Sequence, residues 1–315
     1  MTRKKTFLFA GDANIDYMLT GLQSEPQSGR EVFCDRFTIN LGGSTAICAA
    51  AFARISAGLP SDSPVLWSEL GDDDNGQKVQ GFLEEAGVDT SFMVVRQGAT
   101  TGVTVNVVDG KGRTQITARG SLALIDPANV LPILDLPDQW MHFHVSGPYG
   151  MPNFPPGLSR LFRRAKEQGM STSLDTQWDP SESWEGLNDC RPWLDFLFVN
   201  EDEANSICQS ESWQTKEQQL TTIAQQALIK LGAQGVFTGG KLYQGYAVEA
   251  LDTTGAGDTF AAGFLFAHLV QGQGIAEAVA FAQAAAALAC TWEGGINSEL
   301  SLQRIIAIVE KGSVC

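Results

Sequence analysis

Asp252-Thr253-Thr254-Gly255-Ala256-Gly257-Asp258-Thr259-Phe260 is the stretch that decides how this chain is read, and it runs into Ala261 to Val270, which is helical in composition. Two glycines flank one alanine, so the backbone can take conformations closed to larger residues. Successive amides then converge on an anion at a helix N-terminus. Asp258 falls in the first turn of that helix. A carboxylate there can accept a proton from an attacking hydroxyl while the amides stabilise charge on a transferred group. The plain alternative is a Gly-rich turn with an acidic N-terminal charge, worth at most about 1 kcal/mol. For an isolated G-x-G-D the plain alternative is the stronger reading.

Outward from this stretch, the chain alternates strands and helices. Thr6 to Ala10 reads as a buried strand closed by Gly11-Asp12. Gly42-Gly43-Ser44-Thr45 precedes the Ala-rich run Ala46 to Ile55, a helix start with Ser and Thr as capping residues. Further strands are expected at Pro64–Leu70, Trp140–Val145, Ser171–Asp175, Phe196–Val199 and Gly235–Thr238. Helices are expected at Asn75–Ala86, about 158–168, and 216–230. From Gly257 onward the chain is mostly helical. Such alternation implies a parallel sheet covered on both faces. Two β-rich stretches break the rhythm. Residues 13–40 are polar and turn-rich with scattered β-formers, and 92–118 reads as three strands with a hairpin turn at Asp109-Gly110-Lys111-Gly112. Together they are expected to form a small β lid.

The 315 residues carry 21 Lys plus Arg against 36 Asp plus Glu, a net charge of −15, which disfavours nucleic acid and anionic membranes as partners. Residues 275–292 form the longest low-charge run, and a span needs about 20 predominantly apolar residues, so this run reads as a buried helix. The apolar run Phe7 to Ala10 is too short for a signal h-region. A soluble, cytoplasmic protein is expected. Six cysteines (Cys34, Cys48, Cys190, Cys208, Cys290 and Cys315) show no C-x-x-C spacing and read as reduced thiols. His142 and His144 alternate on one strand and read as packing residues, because no third ligand accompanies them. Gly235 to Lys241 meets the spacing of a P-loop, but Leu242 follows where Ser or Thr is needed and a strand-like segment, 243–248, follows that.

The nine residues resemble the C-terminal signature of the ribokinase-like (PfkB-type) carbohydrate kinases. Gly11-Asp12-Ala13-Asn14-Ile15-Asp16, Leu41-Gly42-Gly43-Ser44-Thr45-Ala46 and Asn200-Glu201-Asp202-Glu203 resemble three further family motifs in order and spacing. The resemblance implies a ribokinase-like three-layer α/β/α sandwich with a mostly parallel sheet and a small β-sheet lid. The core would be 1–12, 41–91 and 119–315, and the discontinuous lid 13–40 and 92–118. It implies transfer of the γ-phosphoryl of ATP, with Mg²⁺, to a primary hydroxyl of a sugar or sugar-like metabolite. Carried over residue by residue, Asp258 is the base and Gly255, Ala256 and Gly257 supply the anion hole. Asp16, Gly42 and Gly43 hold substrate hydroxyls with Asn14 beside them, and Ser146 borders the same pocket. Asn200 and Glu203 act on Mg²⁺ and phosphate, and Thr238, Gly240 and Gln283 lie near the nucleotide. For Asn200 and Glu203 a helix capping box is the competing reading. Asp252, Thr254, Gly295 and Ser298 resemble residues that contribute to a monovalent cation site, suited to K⁺. A homodimer through the lid is a further implication.

Departures limit the carry-over. Ile47 stands where the family often has a sugar-binding Asn. Leu174-Asp175-Thr176-Gln177-Trp178 lacks the Arg found in sugar-acid and hexose kinases, and the stretch from Thr238 to Asp252 is short. Asn106, Arg113 and Arg119 read first as solvated hairpin residues and second as substrate contacts. Two alternatives stay open: a nucleoside kinase with the same chemistry, and a non-catalytic nucleotide or sugar sensor, against which the intact Asp258 argues.

Overall fold

The computed structural model describes residues 6–59, 63–109, 112–136 and 139–312. The hairpin tip Gly110-Lys111, the side chain of Arg113 and Cys315 lie outside the described residues. The chain opens with β1 (Thr6–Gly11) and the antiparallel pair β2 (Asn14–Leu22) and β3 (Cys34–Gly42). After the helix Ser44–Ser56 come β4 (Val65–Trp67), β5 (Glu69–Gly71), the helix Asp74–Ala86, β6 (Val94–Arg96), and the antiparallel β7 (Val103–Asp109) and β8 (Gly112–Ala118). Alternation resumes with β9 (Trp140–Ser146), the helix Leu158–Glu167, β10 (Ser171–Asp175), β11 (Phe196–Asn200), β12 (Gln226–Lys230), β13 (Val236–Thr238) and β14 (Lys241–Tyr243). Helices Ala256–Leu265, Ile275–Ala289 and Leu302–Lys311 close the chain.

The large sheet has the order β14-β13-β12-β11-β10-β9-β1-β4 and is parallel from β12 to β4. Its strands are buried on both faces. Phe7 and Phe9 of β1, with Phe196 and Phe198 of β11, enter one apolar core, and Leu8, Ala10, Leu197 and Val199 enter the other. Period-two alternation therefore divides one apolar run between two helical layers. This is the expected three-layer α/β/α sandwich. A second, four-stranded sheet has the order β3-β2-β7-β8.

Four details differ from the sequence reading. Residues 216–230 are not one helix: the helix is Trp213–Leu220, and Gln226–Lys230 is a parallel strand. A short run such as Ala227-Leu228-Ile229 has no periodicity that separates a buried strand from a helix. Pro64–Leu70 splits at Ser68 into β4 and β5, because β5 leaves the large sheet to pair with β6. That pairing takes β6 out of the four-stranded sheet. The strand after Thr238 is β14, and residues 244–250 are irregular. Among the described residues no helix is long and apolar enough to cross a membrane, and Cys34, Cys48, Cys190, Cys208 and Cys290 are free thiols.

Candidate active site

Parallel strands all end at one edge of the sheet, and ligands of open α/β sheets bind outside the carboxyl ends. Here β1 ends at Gly11 beside Ser146 of β9, and Ser146 is level with Asp175 of β10. Asn200 of β11 is level with Lys230 of β12. The polar residues that end these strands therefore meet in one row.

Asp258 joins that row from above, in the first turn of the helix Ala256–Leu265. Gly255 caps this helix in the left-handed region at φ 72°, where an added Cβ would lie 2.5 Å from the Gly295 carbonyl oxygen, so only glycine fits. The Ala256 amide donates to Thr253 O at 3.2 Å, and the first helical bond runs from Thr259 N to Gly255 O at 2.8 Å. The amides of Gly257 and Asp258 stand between these two and are the donors left at the helix start. The Asp258 carboxylate accepts at Oδ1 from the Ser44 hydroxyl and from Gln177 Nε2, the latter at 3.2 Å. No described residue donates to its Oδ2. Burial, reinforced by the charge of Asp175, pushes the Asp258 carboxyl up to about 8.

The sequence reading expected Ser44 and Thr45 to cap their own helix, and they do not. The N-cap is Gly43, without a side-chain bond, and Asp12 takes over the capping role from outside, accepting from the amides of Ser44 and Thr45 at 3.0 and 2.8 Å. The Ser44 hydroxyl is thereby released toward Asp258, and its oxygen lies 2.5 Å from that of Ser146.

Lys230, Gln177 and Asp175 are site residues that the sequence reading missed. Lys230 Nζ lies 2.5 Å from Asp175 Oδ2. Desolvation works against its charge, but the carboxylates of Asp175 and Glu203 outweigh that and hold its pKa above the ordinary value. Gln177 is a non-glycine residue at φ 52°, and its amide spans Asp175 and Asp258. Glu203 accepts from Asn200 N and Thr176 Oγ1 at 2.8 and 3.0 Å through one oxygen, and from Asn200 Nδ2 at 2.6 Å through the other. The capping box is thus real, and it is buried in the same charged row. Burial pushes the Glu203 carboxyl up to about 7.

On the side of the four-stranded sheet, Asn14 Nδ2 donates to Asp16 Oδ1 at 2.9 Å and to Thr104 Oγ1 at 3.2 Å. An added Cβ at Gly42 would strike the Asp16 carboxylate, and one at Gly43 would lie 2.8 Å from Asp12 O. Both glycines therefore keep backbone tight against the acidic residues. Ile47 turns away to pack beneath Gly295, where a Cβ would come within 2.5 Å of its Cδ1. Asn106 is buried and accepts from Gln115 at 3.0 Å, so it is no solvated hairpin residue. Arg119 stays exposed and donates to Gly150 O.

A cavity of about 570 Å³ opens on the other side of the Asp258 helix. Lys230, Thr253, Ala256 and Gly257 line its inner end, and Ala233, Tyr246, Val248, Phe260, Gln283 and Ala286 line its apolar body. Gln283 Oε1 is buried there without a partner. Thr238 and Gly240 are not in the wall: the Thr238 hydroxyl donates to Ala227 O at 2.6 Å, and the Gly240 amide to Glu217 at 2.9 Å. The turn Gly232–Gly235 after β12 occupies the place expected for them. Its signal was the glycine pair closing an apolar run, with Gly232 and Gly235 both at positive φ.

Asp252 accepts from Thr254 N and Oγ1 at 2.9 and 2.7 Å and from Gly294 N at 2.9 Å, tying the turn before the Asp258 helix to the loop holding Gly295. Ser298 is exposed further along that loop. His142 and His144 are buried against Ser171 and Ser173. Among the described residues no three His, Cys, Asp or Glu side chains form a metal-holding group.

A family model described as pfkB family carbohydrate kinase matches residues 5–302. The chain is 29% identical over 296 residues to an ATP-dependent ribose-1-phosphate kinase of Halopiger xanaduensis, covering 91% of this chain and 92% of that one. Its fold is similar to that of Arabidopsis thaliana ribokinase complexed with ribose and ATP, with a TM-score of 0.79, 22% identity, and coverage of 98% and 99%. It is likewise similar to a structure assigned as ribokinase II from E. coli in complex with ATP and Mg²⁺, with a TM-score of 0.82, 20% identity, and coverage of 98% and 99%. At these identities the structural likenesses speak for the fold alone.

Proposed function

The chain belongs to the pfkB family of carbohydrate kinases and is a sugar or nucleoside kinase, and from that premise we propose that it moves the γ-phosphoryl group of ATP to a primary hydroxyl of a sugar or sugar-like acceptor, with Asp258 as general base. The observation that carries this reading is the position of Asp258. It directly follows Ala256 and Gly257 of the cavity wall and bonds to Ser44, two residues from the Gly42 that packs against Asn14 and Asp16. One carboxylate oxygen is held by Ser44 and Gln177, and no described residue donates to the other. An acceptor hydroxyl at Oδ2 would lose its proton there as it attacks in line. The amides of Gly257 and Asp258 would meet the charge that develops on the transferred group. A base whose pKa lies near the working pH is well matched to this task.

The apolar body of the cavity suits a nucleobase, and its inner end suits phosphates. Three carboxylates (Asp175, Glu203 and Asp258) face one ammonium there. The three do not form a metal-holding group by themselves, but a hard divalent cation such as Mg²⁺ needs only one or two carboxylates beside waters and substrate phosphates. Asn200 and Glu203 would hold the waters of Mg²⁺, which supplies charge neutralisation when bound. Asp252, Thr254, Gly295 and Ser298 would supply oxygens to a K⁺ ion beside the cradle. Asn14, Asp16 and Ser146 would position the acceptor, and Gln283 would meet the nucleotide. The four-stranded sheet would act as a lid that excludes water, the competing acceptor. Its other face carries Leu19, Phe37, Val107, Val105 and Ile116 in adjacent rows, with Phe37 and Ile116 more than half exposed. An apolar patch of this kind would be covered by the lid of a second copy.

One observation keeps nucleosides among the acceptors: Trp178, next to Gln177, is 44% exposed and packs edge-on against Trp184. The test is ADP release from Mg-ATP across ribose, fructose, fructose phosphates, 2-keto-3-deoxygluconate and nucleosides, with and without K⁺. Acceptor-dependent release supports the kinase and names its acceptor class. Bound ATP with no release on any acceptor would instead support the sensor.

A further inference from the structure

Lys230 is the only cationic side chain in the wall of the cavity among the described residues. It is the last residue of β12, and its side chain is 13% exposed. Its ammonium carries three protons. One is directed to Asp175 Oδ2, and no other described residue accepts from it. An added Cβ on Gly257 would lie 3.3 Å from Nζ, so the ammonium stands directly against the first turn of the Asp258 helix. It therefore has donors to spare where the Gly257 and Asp258 amides also point outward. A lysine placed solely to neutralise Asp175 would gain nothing from lining a cavity.

We propose that Lys230 is a phosphate-binding residue, whose ammonium, oriented by Asp175, donates to the terminal phosphates of the nucleotide at the start of the helix Ala256–Leu265. This rests on the reading that the cavity takes ATP. Asp175 already holds the end of the long side chain, so little freedom is lost when phosphate arrives. The glycine at 257 is what lets the ammonium approach the helix start.

The test compares ligands that differ only in phosphate. Binding of ATP and of adenosine is measured by calorimetry for the wild type, Lys230→Met, and Lys230→Met with Asp175→Asn. The double variant removes both charges and leaves no unpaired buried carboxylate, so it decides the matter where the single variant does not fold. The wild type is expected to bind ATP more tightly than adenosine. The variants are expected to lose about 10- to 100-fold in ATP affinity, the range for a hydrogen bond to a charged group, with adenosine changed by less than about threefold. Equal losses for both ligands would make Lys230 purely structural and overturn the proposal, as would unchanged ATP affinity. A wild-type protein that binds neither ligand would overturn the ATP reading, and this proposal with it.

Discussion

The carboxyl edge of the large sheet and the pocket-facing side of the four-stranded sheet use opposite chemistry. At the edge, Asp175, Glu203, Lys230 and Asp258 are crowded together with little access to water, and the Lys230 charge lowers the pKa of all three carboxyls against the effect of burial. On the four-stranded sheet, Asn14, Asp16 and Met18 share a face with Thr104 and Asn106 of β7 and Thr117 and Gln115 of β8. Apart from Asp16 these residues are neutral. Its groups bond to one another, Thr104 to Thr117 at 3.1 Å and Gln115 to Asn106 at 3.0 Å, and Asn106 Nδ2 is left buried without a partner. Charge is concentrated where bonds would be made and broken, and neutral donors and acceptors where hydroxyls would be recognised. The first region should therefore govern turnover and the second the choice of acceptor.

The strongest way to break this division is Asp258→Asn. It is expected to lower kcat by about 10²–10⁴-fold, the usual cost of removing a positioned base, with the acceptor KM changed little. Steady-state kinetics on the acceptor found by ADP release checks it. Unchanged turnover would remove Asp258 from the chemistry.

Stability gives the next largest effect. The folded-state pKa of Asp258 lies near 8, against an ordinary carboxylate value of 3.8. Between these values the native state binds a proton that the unfolded chain has released. Stability from this group is therefore complete below about pH 4 and is lost as pH rises toward 8. Wild type should fall relative to Asp258→Asn across that window by a few kcal/mol, at about 1.4 kcal/mol for each pH unit between the two values. Urea titrations at several pH values measure it. A constant difference would mean that the carboxyl is not raised.

Asp16→Ala tests the other region. Loss of a carboxylate that accepts from acceptor hydroxyls should lower kcat/KM for the acceptor by about 10- to 100-fold, mainly through KM, and leave the KM for ATP unchanged. A loss confined to kcat would erase the distinction between the two regions. The smallest effect should come from Ser44→Ala. The Ser44 hydroxyl donates to the ionised carboxylate and lowers the Asp258 pKa, so its removal should move the acidic limb of kcat/KM upward from about 8 by roughly half a pH unit to one, the size of one modest hydrogen bond. A downward movement would mean that Ser44 does not donate to Asp258.

Much of the site was legible because it depends on local backbone. The left-handed turn at Gly255 and the carboxylate three residues on belong to one short stretch, as do the Asn200 and Glu203 of a single helix cap. Residues whose roles come from strands meeting side by side were harder to read. Lys230 was hidden because the strand that carries it follows a helix closely and is too short for its periodicity to show. Ser44 looked like a cap because Ser before an Ala-rich run usually is one. The carboxylate that displaced it, Asp12, is 32 residues away. Thr238 and Gly240 were expected at the nucleotide from the family resemblance of their segment, yet the strand before them is antiparallel at the sheet margin, so that Val236 at its start lines the cavity and Thr238 at its end does not.

The amino-acid sequence alone was enough for the family, the three-layer architecture, and the glycine turn that sets Asp258 in the first turn of a helix. Each of these rests on local conformation or on apolar alternation along the chain. It took the folded chain to decide which charges Asp258 meets, which hydroxyl orients it, and which turn walls the cavity. Those depend on strand register and on burial, and a carboxyl becomes a base near neutral pH only when water is excluded by elements distant in the chain.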